Sequence, residues 1–212
     1  MNPPATVFLV DDDALLRKAL TRLLQAEGHP VVAFASAEEF LQAHPPTGGS
    51  CLILDVAMPG IDGLALQEHL AHAGTTVPVI FLTGHSNISM SVRALKAGAA
   101  DFLTKPVNDS DLLRAVREAL QKSAIQQAFD TDLAALRRRY AELTQREREV
   151  LPHVLTGKLN KQIADELGIS LHTIKVHRGR MMAKLGVQSV ADLVHVAQKL
   201  GVKPATDRAT SS

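Results

Sequence analysis

The chain has few of the features that would tie it to a membrane or to an oxidising compartment. Its 212 residues include one cysteine, Cys51, which excludes an internal disulfide, and it opens with MNPPATVFLVDDD, which is not signal-like. No apolar run is long enough to cross a bilayer. Tryptophan is absent, and aromatic residues make up 3% of the chain. We expect a cytoplasmic protein with no membrane partner, formed by one large domain or two small ones.

Charge is divided unevenly along the chain. Residues 1–122 carry 9 Lys and Arg against 13 Asp and Glu, whereas residues 123–212 carry 14 against 9, within a net charge of +1. An acidic half joined to a basic half suggests two domains with different partners, and the basic half is a candidate for binding nucleic acid. Many basic surfaces are merely solvated, so charge alone does not decide between these interpretations.

The first half alternates short apolar runs with helix-like segments. The segment SAEEFLQA, for example, offers Ser36 as an N-cap and Glu39 three residues later, which is a capping box. Five alternations over about 120 residues predict right-handed βαβ units and a doubly wound, five-stranded parallel sheet. The predicted strands are TVFLV (6–10), VVAF (31–34), CLIL (51–54), VPVIFL (77–82) and FLT (102–104).

Beyond Asp111 the pattern becomes almost purely helical. DLLRAVREALQKSAIQQAF leads to DLAALRRRYAEL without Pro or Gly, although Asp130, Thr131 and Asp132 could cap a new helix. Short helical runs separated by glycines follow, which predicts an all-α second domain. The predicted boundaries are an α/β domain over 1–122, a helical linker over 123–140, a four-helix domain over 141–203 and a disordered polar tail over 204–212.

Polar side chains follow four of the predicted strands. Asp11–Asp13 follow the first, Asp55 the third, Thr83 the fourth and Lys105 the fifth. Singly, each has an ordinary explanation, such as a helix cap, a satisfied strand hydroxyl or a solvated lysine. In a parallel sheet, however, these strand ends meet at one edge, and clustered carboxylates need a cation. Mg²⁺ suits such oxygens, and a carboxylate beside Mg²⁺ and lysine can accept a phosphoryl group.

The blocks VFLVDDD, LILDVAMPGIDG, FLTGHS and GAADFLTKP resemble, in order and spacing, those of the response-regulator receiver domain. The resemblance covers residues 6 to about 122. It implies that Asp55 accepts a phosphoryl group from the phosphohistidine of a sensor histidine kinase and that Lys105 pairs with the phosphoryl oxygens. The implied Mg²⁺ ligands are Asp12 and Asp55, with Asp11 through water and the backbone carbonyl of Ala57; the implied switch residues are Thr83 and Phe102.

A haloacid-dehalogenase-like phosphohydrolase is an alternative, because that class also forms an aspartyl-phosphate. Its D-x-D motif is followed two residues later by Thr or Val, whereas here DDDAL has Leu15 at that position. The chain also lacks an obvious cap insertion. A turnover assay with a generic phosphate ester would separate this enzyme from a regulator.

The basic half contains a helical hairpin that is followed by a third helix. In NKQIADELGIS, the turn lies at Gly168 and Ser170 is the N-cap of the next helix. On that helix, Ile174, Met181 and Leu185 fall on one face and are predicted to pack inward. The opposite stripe carries small residues bordered by cations, which suits a helix placed in the major groove. A helix whose Lys and Arg are only solvated remains the alternative.

LTQREREVL, NKQIA, GIS, TIKVH and KLGV resemble the LuxR-type helix-turn-helix over Leu143 to about Leu200. The family's base-reading positions fall on Lys175, Val176 and Gly179, of which Gly179 departs from the family by offering no donor. Pro152 is a second departure, and it could kink or shorten its helix. The candidate DNA contacts are Lys161, His172, Thr173, Lys175, Val176, His177, Arg178, Gly179, Arg180 and Lys184.

Together the two halves resemble a NarL/FixJ-family response regulator. The resemblance implies a non-enzymatic transcription regulator in which phosphorylation of Asp55 promotes homodimerisation, through a face within Asn87 to Leu120, and binding to double-stranded DNA. RNA polymerase is a further partner that such a regulator can contact. Whether the unphosphorylated form masks its DNA-binding half stays open, as does DNA binding that ignores phosphorylation.

Overall fold

The computed structural model describes residues 5–45, 48–84 and 98–206 of the chain. The chain divides into two compact units, Met1–Ala128 and Phe129–Ser212. Among the described residues, the first unit contains a parallel sheet and the second contains helices and loops. None of the helices in these ranges is long and apolar enough to span a membrane.

Five parallel strands form a single sheet in the first unit. They are β1 (Val7–Val10), β2 (Val31–Phe34), β3 (Cys51–Asp55), β4 (Val79–Thr83) and β5 (Asp101–Thr104). Their order across the sheet is β2-β1-β3-β4-β5, and every neighbouring pair is parallel. Each strand coincides with a predicted apolar run, so the predicted sheet is confirmed. β1, β3 and β4 are buried along their whole length, as unbroken apolar strands in parallel sheets usually are.

Helices cover both faces of the sheet. Those of the first unit are α1 (Ala14–Ala26), α2 (Ala37–Ala43), α3 (Gly63–His72) and the start of α4 (Asp109–Ala141). Two apolar clusters result, because successive strand residues point to opposite faces. Phe8 and Val10 belong to one cluster, and Val7 and Leu9 belong to the other. Cys51 lies in the second cluster, where burial raises the pKa of its thiol to about 12.

Two predictions fall partly outside the described residues. One of the helix-like segments between the predicted strands is SVRALKAG (91–98), and only its last residue, Gly98, is described. The dimerisation face expected within Asn87 to Leu120 therefore has its first part outside the described ranges as well.

The long helix α4 is continuous from Asp109 to Ala141. The new helix that Asp130, Thr131 and Asp132 could have capped is therefore not formed. The stretch has no Pro or Gly, so nothing in the backbone chemistry interrupts the i to i−4 hydrogen bonds there. The division between the two compact units falls inside this helix, after Ala128.

The second unit packs four further helices around its own core. They are α5 (Gln145–Leu155), α6 (Asn160–Leu167), α7 (Leu171–Leu185) and α8 (Val190–Leu200). Three of these helices begin at a residue whose side chain caps them. Thr144 forms a capping box with Glu147 at the start of α5, and Ser170 and Ser189 accept backbone N–H groups of α7 and α8. The core includes Leu151, Ile163, Met181 and Leu193, each buried.

Pro152 does not end its helix early. α5 runs through it to Leu155, although a proline cannot donate the hydrogen bond that the Arg148 carbonyl would otherwise accept. The Pro152 carbonyl accepts a hydrogen bond from the Ala205 N–H at 3.0 Å. Ala205 lies in the tail that was expected to be disordered over 204–212, of which the structure describes only residues up to 206.

Candidate functional site

The carboxyl edge of the sheet brings three charged side chains into contact. Asp11 follows β1, Asp55 ends β3, and both carboxylates are buried, at 0% and 4% exposure. Lys105 follows β5, and its Nζ lies 2.7 Å from Asp11 Oδ2 and 3.0 Å from Asp55 Oδ2. One ammonium group thus bridges two buried carboxylates that would otherwise repel each other.

The backbone around this cluster is held by short hydrogen bonds. The Lys105 N–H donates to the carbonyl of Thr83 at 2.7 Å, so the two strand ends that carry these residues stay in register. The bond from Lys105 to Pro106 is a cis peptide. Thr83 itself is buried at 3% exposure and lies at the end of β4.

A Cβ at Gly63, the first residue of α3, would collide with the carbonyl oxygen of Asp55. This glycine is needed for space rather than for a positive φ. The N–H of Gly63 also donates to the carbonyl of Val56 at 3.1 Å, which closes the loop that follows Asp55. Sequence reasoning did not single out this position, because glycine at a helix start is also a common cap residue.

Burial dominates the electrostatics of the pocket. Loss of hydration raises the pKa of the Asp55 carboxyl, and the contact with Lys105 offsets only part of that effect. Burial alone would lower the pKa of Lys105, but its bonds to Asp11 and Asp55 outweigh burial and raise it. Lys105 is therefore a permanent cation at neutral pH.

The carboxylates of Asp11, Asp12 and Asp55 can each offer one oxygen to a shared ion, since these oxygens lie within 4.8 Å of one another. Three hard oxygen ligands fit Mg²⁺, and the exposure of Asp12 leaves room for the waters that this ion keeps. Ala57, the predicted backbone ligand, lies beside the cluster, and its N–H donates to Asp55 Oδ1 at 3.4 Å. The donor set is therefore suited to a magnesium ion.

The third carboxylate of the acidic run has a different task. Asp13 is the N-cap of α1, and its Oδ1 accepts the N–H groups of Leu15 at 2.8 Å and Leu16 at 3.1 Å. These two bonds lower the pKa of the Asp13 carboxyl. The ordinary explanation that the sequence allowed for all three aspartates thus holds for Asp13, whereas Asp11 and Asp12 face the pocket.

Two side chains that sequence reasoning missed hold the loops of the pocket. A guanidinium nitrogen of Arg17 donates to the backbone carbonyl of Asp11 at 2.6 Å. Glu38 accepts the N–H of Ile61 at 3.0 Å, in the loop between β3 and α3. Arg17 lies one helical turn after the cap of α1, a spacing that could have drawn attention to it. No local pattern links Glu38 to a residue 23 positions away.

Phe102, the predicted switch aromatic, is half-buried in β5. Its ring centroid lies 6.1 Å from that of Phe81 on β4, with the ring planes at 45°. It packs against the apolar cluster on that face of the sheet without being enclosed by it. Phe102 is thus less buried than the residues of β1, β3 and β4.

The second unit forms a helix-turn-helix from α6 and α7. Gly168 makes the turn in the left-handed conformation with φ 66°, which favours glycine. Ser170 then starts α7, and its Oγ accepts the Thr173 N–H at 3.1 Å. Ile174 and Met181 are buried at 0% and Leu185 at 1%, so the predicted inward face of α7 is confirmed.

The candidate DNA contacts lie on the remaining faces of α7 and at the start of α6. Gly179 is exposed, and a Cβ built there would meet nothing within 4 Å. A glycine at this place costs helix stability without being required by space. The exposed candidates are Lys161, His172, Lys175, Gly179 and Arg180, and the half-buried ones are Thr173, Val176, His177, Arg178 and Lys184.

Two of the half-buried cations are engaged inside the unit. Arg178 donates to Oδ1 of Asn160 at 2.8 Å, which ties α7 to the start of α6. Lys184 forms an ion pair with Glu147, with 2.7 Å between Nζ and Oε2. The DNA contacts expected of Arg178 and Lys184 stay predictions, and both side chains already have a partner within the unit.

An acidic pocket with a lysine at the edge of a parallel sheet, followed in the same chain by a helix-turn-helix, defines the class of DNA-binding response regulators. The chain belongs to the NarL/FixJ family of these two-component regulators. Residues 7–117 match the response regulator receiver domain, and residues 141–197 match the bacterial regulatory proteins of the luxR family. The family assignment therefore favours a response regulator over the alternative of a phosphohydrolase.

Individual relatives are similar over almost the whole chain. Nodulation protein W of Bradyrhizobium diazoefficiens is 44% identical over 198 residues, which cover 93% of this chain and 87% of that protein. Transcriptional regulatory protein FixJ of Azorhizobium caulinodans is 42% identical over 201 residues, which cover 95% of each. The structure of response regulator StyR, 43% identical, matches with a TM-score of 0.85 over 93% of this chain and 100% of that chain.

Proposed function

We propose that Asp55 is the phosphoacceptor of this response regulator and that its phosphorylation controls DNA binding by α7. The observation that carries the proposal is the position of Asp55: a buried carboxylate at a strand end, 3.0 Å from a lysine and within reach of two further carboxylates. A carboxylate held between a cation and metal-binding oxygens is suited to attack a phosphorus atom.

The chemistry that we propose is a single transfer from the phosphohistidine of a sensor kinase. A carboxylate oxygen of Asp55 attacks phosphorus, the P–N bond breaks, and its electron pair stays on the imidazole. Lys105 is placed to pair with the phosphoryl oxygens, since its ammonium already touches Asp55. Asp11, Asp12 and Asp55 would hold Mg²⁺, with the Ala57 carbonyl as a further ligand. When bound, the ion neutralises charge that develops on the transferred group.

The consequence that we propose for the phosphorylated form is a switch at Thr83 and Phe102. Thr83 ends β4, the strand that pairs with β3, so we propose that its hydroxyl bonds one of the phosphoryl oxygens. Phe102 lies on the next strand and is only half-buried, so its ring has room to change position. This change would favour homodimerisation, and two copies of α7 would then read two half-sites about one helical turn apart.

Base and phosphate contacts are proposed for the exposed part of α7 and for Lys161 on α6. His172, Lys175, Val176 and Gly179 occupy the outward stripe, and Thr173, His177, Arg178 and Arg180 flank it. Cations at the border of a helix in the major groove reach phosphates, whereas the central stripe faces the bases. Because Gly179 has no side chain, base readout would depend on its neighbours or on DNA shape.

The deciding experiment is the intact mass of the chain after incubation with acetyl phosphate and Mg²⁺. We expect a single phosphoryl adduct that is labile to hydroxylamine and absent from Asp55→Asn. Asp62→Asn is the matched control: Asp62 is the exposed N-cap of α3, and asparagine preserves a cap. An adduct that persists in Asp55→Asn, or one that disappears from Asp62→Asn alone, would contradict the assignment.

A second arm tests the coupling to DNA. The phosphorylated and unphosphorylated chains are compared by sedimentation and by binding to duplex DNA. We expect phosphorylation to increase both the dimer fraction and the affinity. Equal affinities in the two states would mean that the chain binds DNA regardless of phosphorylation.

A further inference from the structure

Lys184, near the end of α7, joins three segments of the second unit. Its Nζ donates to Oε2 of Glu147 at 2.7 Å and to the backbone carbonyl of Glu142 at 3.0 Å. Glu142 immediately follows α4, and Glu147 lies in the first turn of α5. One ammonium group therefore connects the end of α7, the helix that we propose to bind DNA, to the junction between α4 and α5.

The partner carboxylate is almost completely buried. Glu147 is exposed by only 1%, and its Oε2 accepts the Thr144 N–H at 2.9 Å as well as the Lys184 ammonium. Burial alone would raise the pKa of Glu147, but these bonds outweigh it and hold the pKa below its ordinary value. The Glu147 carboxyl is therefore ionised at neutral pH, and its hydrogen bonds fix its direction.

A second cation strengthens the same junction. Arg148 donates from a guanidinium nitrogen to the carbonyl of Ala141 at 2.8 Å, and its guanidinium carbon lies 5.7 Å from the ring centroid of Tyr140. These contacts satisfy a carbonyl at the end of α4, which has no partner within its own helix. The junction between α4 and α5 is thus held by contacts from two cations, Arg148 and Lys184.

We propose that Lys184 is a positioning residue for DNA binding, which sets the direction of α7 relative to the α4–α5 junction and does not itself contact DNA. This inference rests on the proposed DNA interface of α7. The geometry gives two reasons: the ammonium has two acceptors inside the unit, and losing it would leave a buried carboxylate without its cation. A helix that can turn by a few degrees would present its exposed stripe less well to a groove.

The experiment compares Lys184→Met with Arg180→Met in the full-length chain. Both changes remove one positive charge from α7, but Arg180 is exposed at the border where we propose phosphate contacts. Affinity for a mixed-sequence duplex is measured over a series of salt concentrations, at a temperature where circular dichroism shows each variant to be folded. The slope of log affinity against log salt counts the phosphate contacts, and it falls by about 1 when one is lost.

We expect Lys184→Met to bind about tenfold more weakly, the loss of one good interaction, with an unchanged salt slope. Arg180→Met should reduce the slope by about 1. Lys184→Arg, which keeps the charge, should recover part of the affinity. If Lys184→Met does not fold, the double variant Glu147→Leu/Lys184→Met removes the buried charge together with its partner, and the same affinity loss is expected.

Two results would overturn the inference while leaving DNA binding intact. A salt slope that falls equally in Lys184→Met and Arg180→Met would make Lys184 a phosphate contact. Wild-type affinity in Lys184→Met would mean that the junction does not position the helix. A wild-type chain without affinity for the duplex, phosphorylated or not, would instead overturn the proposed DNA interface, and this inference with it.

Discussion

The ammonium nitrogen of Lys105 lies 3.0 Å from Oδ2 of Asp55, across the ends of two strands that are not neighbours in the sheet. The same nitrogen reaches Asp11, so the lysine spans the mouth of the pocket. The contact places one cation between two buried carboxylates that would otherwise repel each other. It also makes the pocket sensitive to the loss of any one member.

Replacing Lys105 with methionine should destabilise the first unit by about 3 kcal/mol, because two buried carboxylates then face each other without a cation. Mg²⁺ should restore part of this loss, since it would supply the missing charge. Hydrogen exchange of the β3 amides over a series of urea concentrations gives the free energy of unfolding of the first unit. The measurement is made with and without Mg²⁺ to obtain both effects. Lys18→Met, at an exposed position of α1, serves as the control. Equal stability of Lys105→Met and wild type in the presence of a chelator would contradict this expectation.

Asp55→Asn should stabilise the chain at neutral pH. Burial raises the pKa of Asp55 in the folded form above its ordinary value of 3.8. At pH values between 3.8 and the raised pKa, the folded form therefore binds more protons than the unfolded form. Stability contributed by this group is therefore present below 3.8 and is lost as pH rises through the folded pKa. The difference in melting temperature between Asp55→Asn and wild type should grow from near zero in acid to a few degrees at neutral pH, measured in a chelating buffer. A variant that melts below wild type at neutral pH would refute the argument.

Gly63→Ala should destabilise the first unit by about 2 kcal/mol, because the new Cβ would overlap the Asp55 carbonyl. Alanine ordinarily favours a helix by about 1 kcal/mol over glycine, so the clash reverses the usual sign. Gly179→Ala is the matched control, since that position in α7 is open, and it should gain about 1 kcal/mol. Chemical denaturation of both variants measures whether the free energy of unfolding falls in Gly63→Ala and rises in Gly179→Ala. A stabilising Gly63→Ala would show that α3 can shift without cost.

The sheet and the acidic pocket could be predicted because their signals are local. Each strand contains a short apolar run, and the rule that parallel strands end at one edge brings Asp11, Asp55 and Lys105 together without any knowledge of side-chain packing. The inward face of α7 was predictable for the same reason, since helical periodicity alone places Ile174 and Met181 on one side.

The division of labour among residues of one kind could not be predicted. Asp12 and Asp13 are adjacent and chemically identical, and only the start of α1 decides that Asp13 caps a helix while Asp12 faces the pocket. Lys184 lies beside the cationic border of α7, yet its ammonium donates to the carboxylate of buried Glu147, 37 residues earlier. A sequence pattern records spacing along one element, whereas these assignments depend on contacts between elements.

The hydrogen bond between Ala205 and the Pro152 carbonyl extends the folded second unit beyond residue 197, where the match to the luxR family ends. The family boundary would therefore be a poor place to truncate the chain. A fragment ending there would cut α8 before Leu200 and would leave the proline carbonyl to solvent. A stable DNA-binding fragment should retain Ala205, and a purification tag is best placed after it.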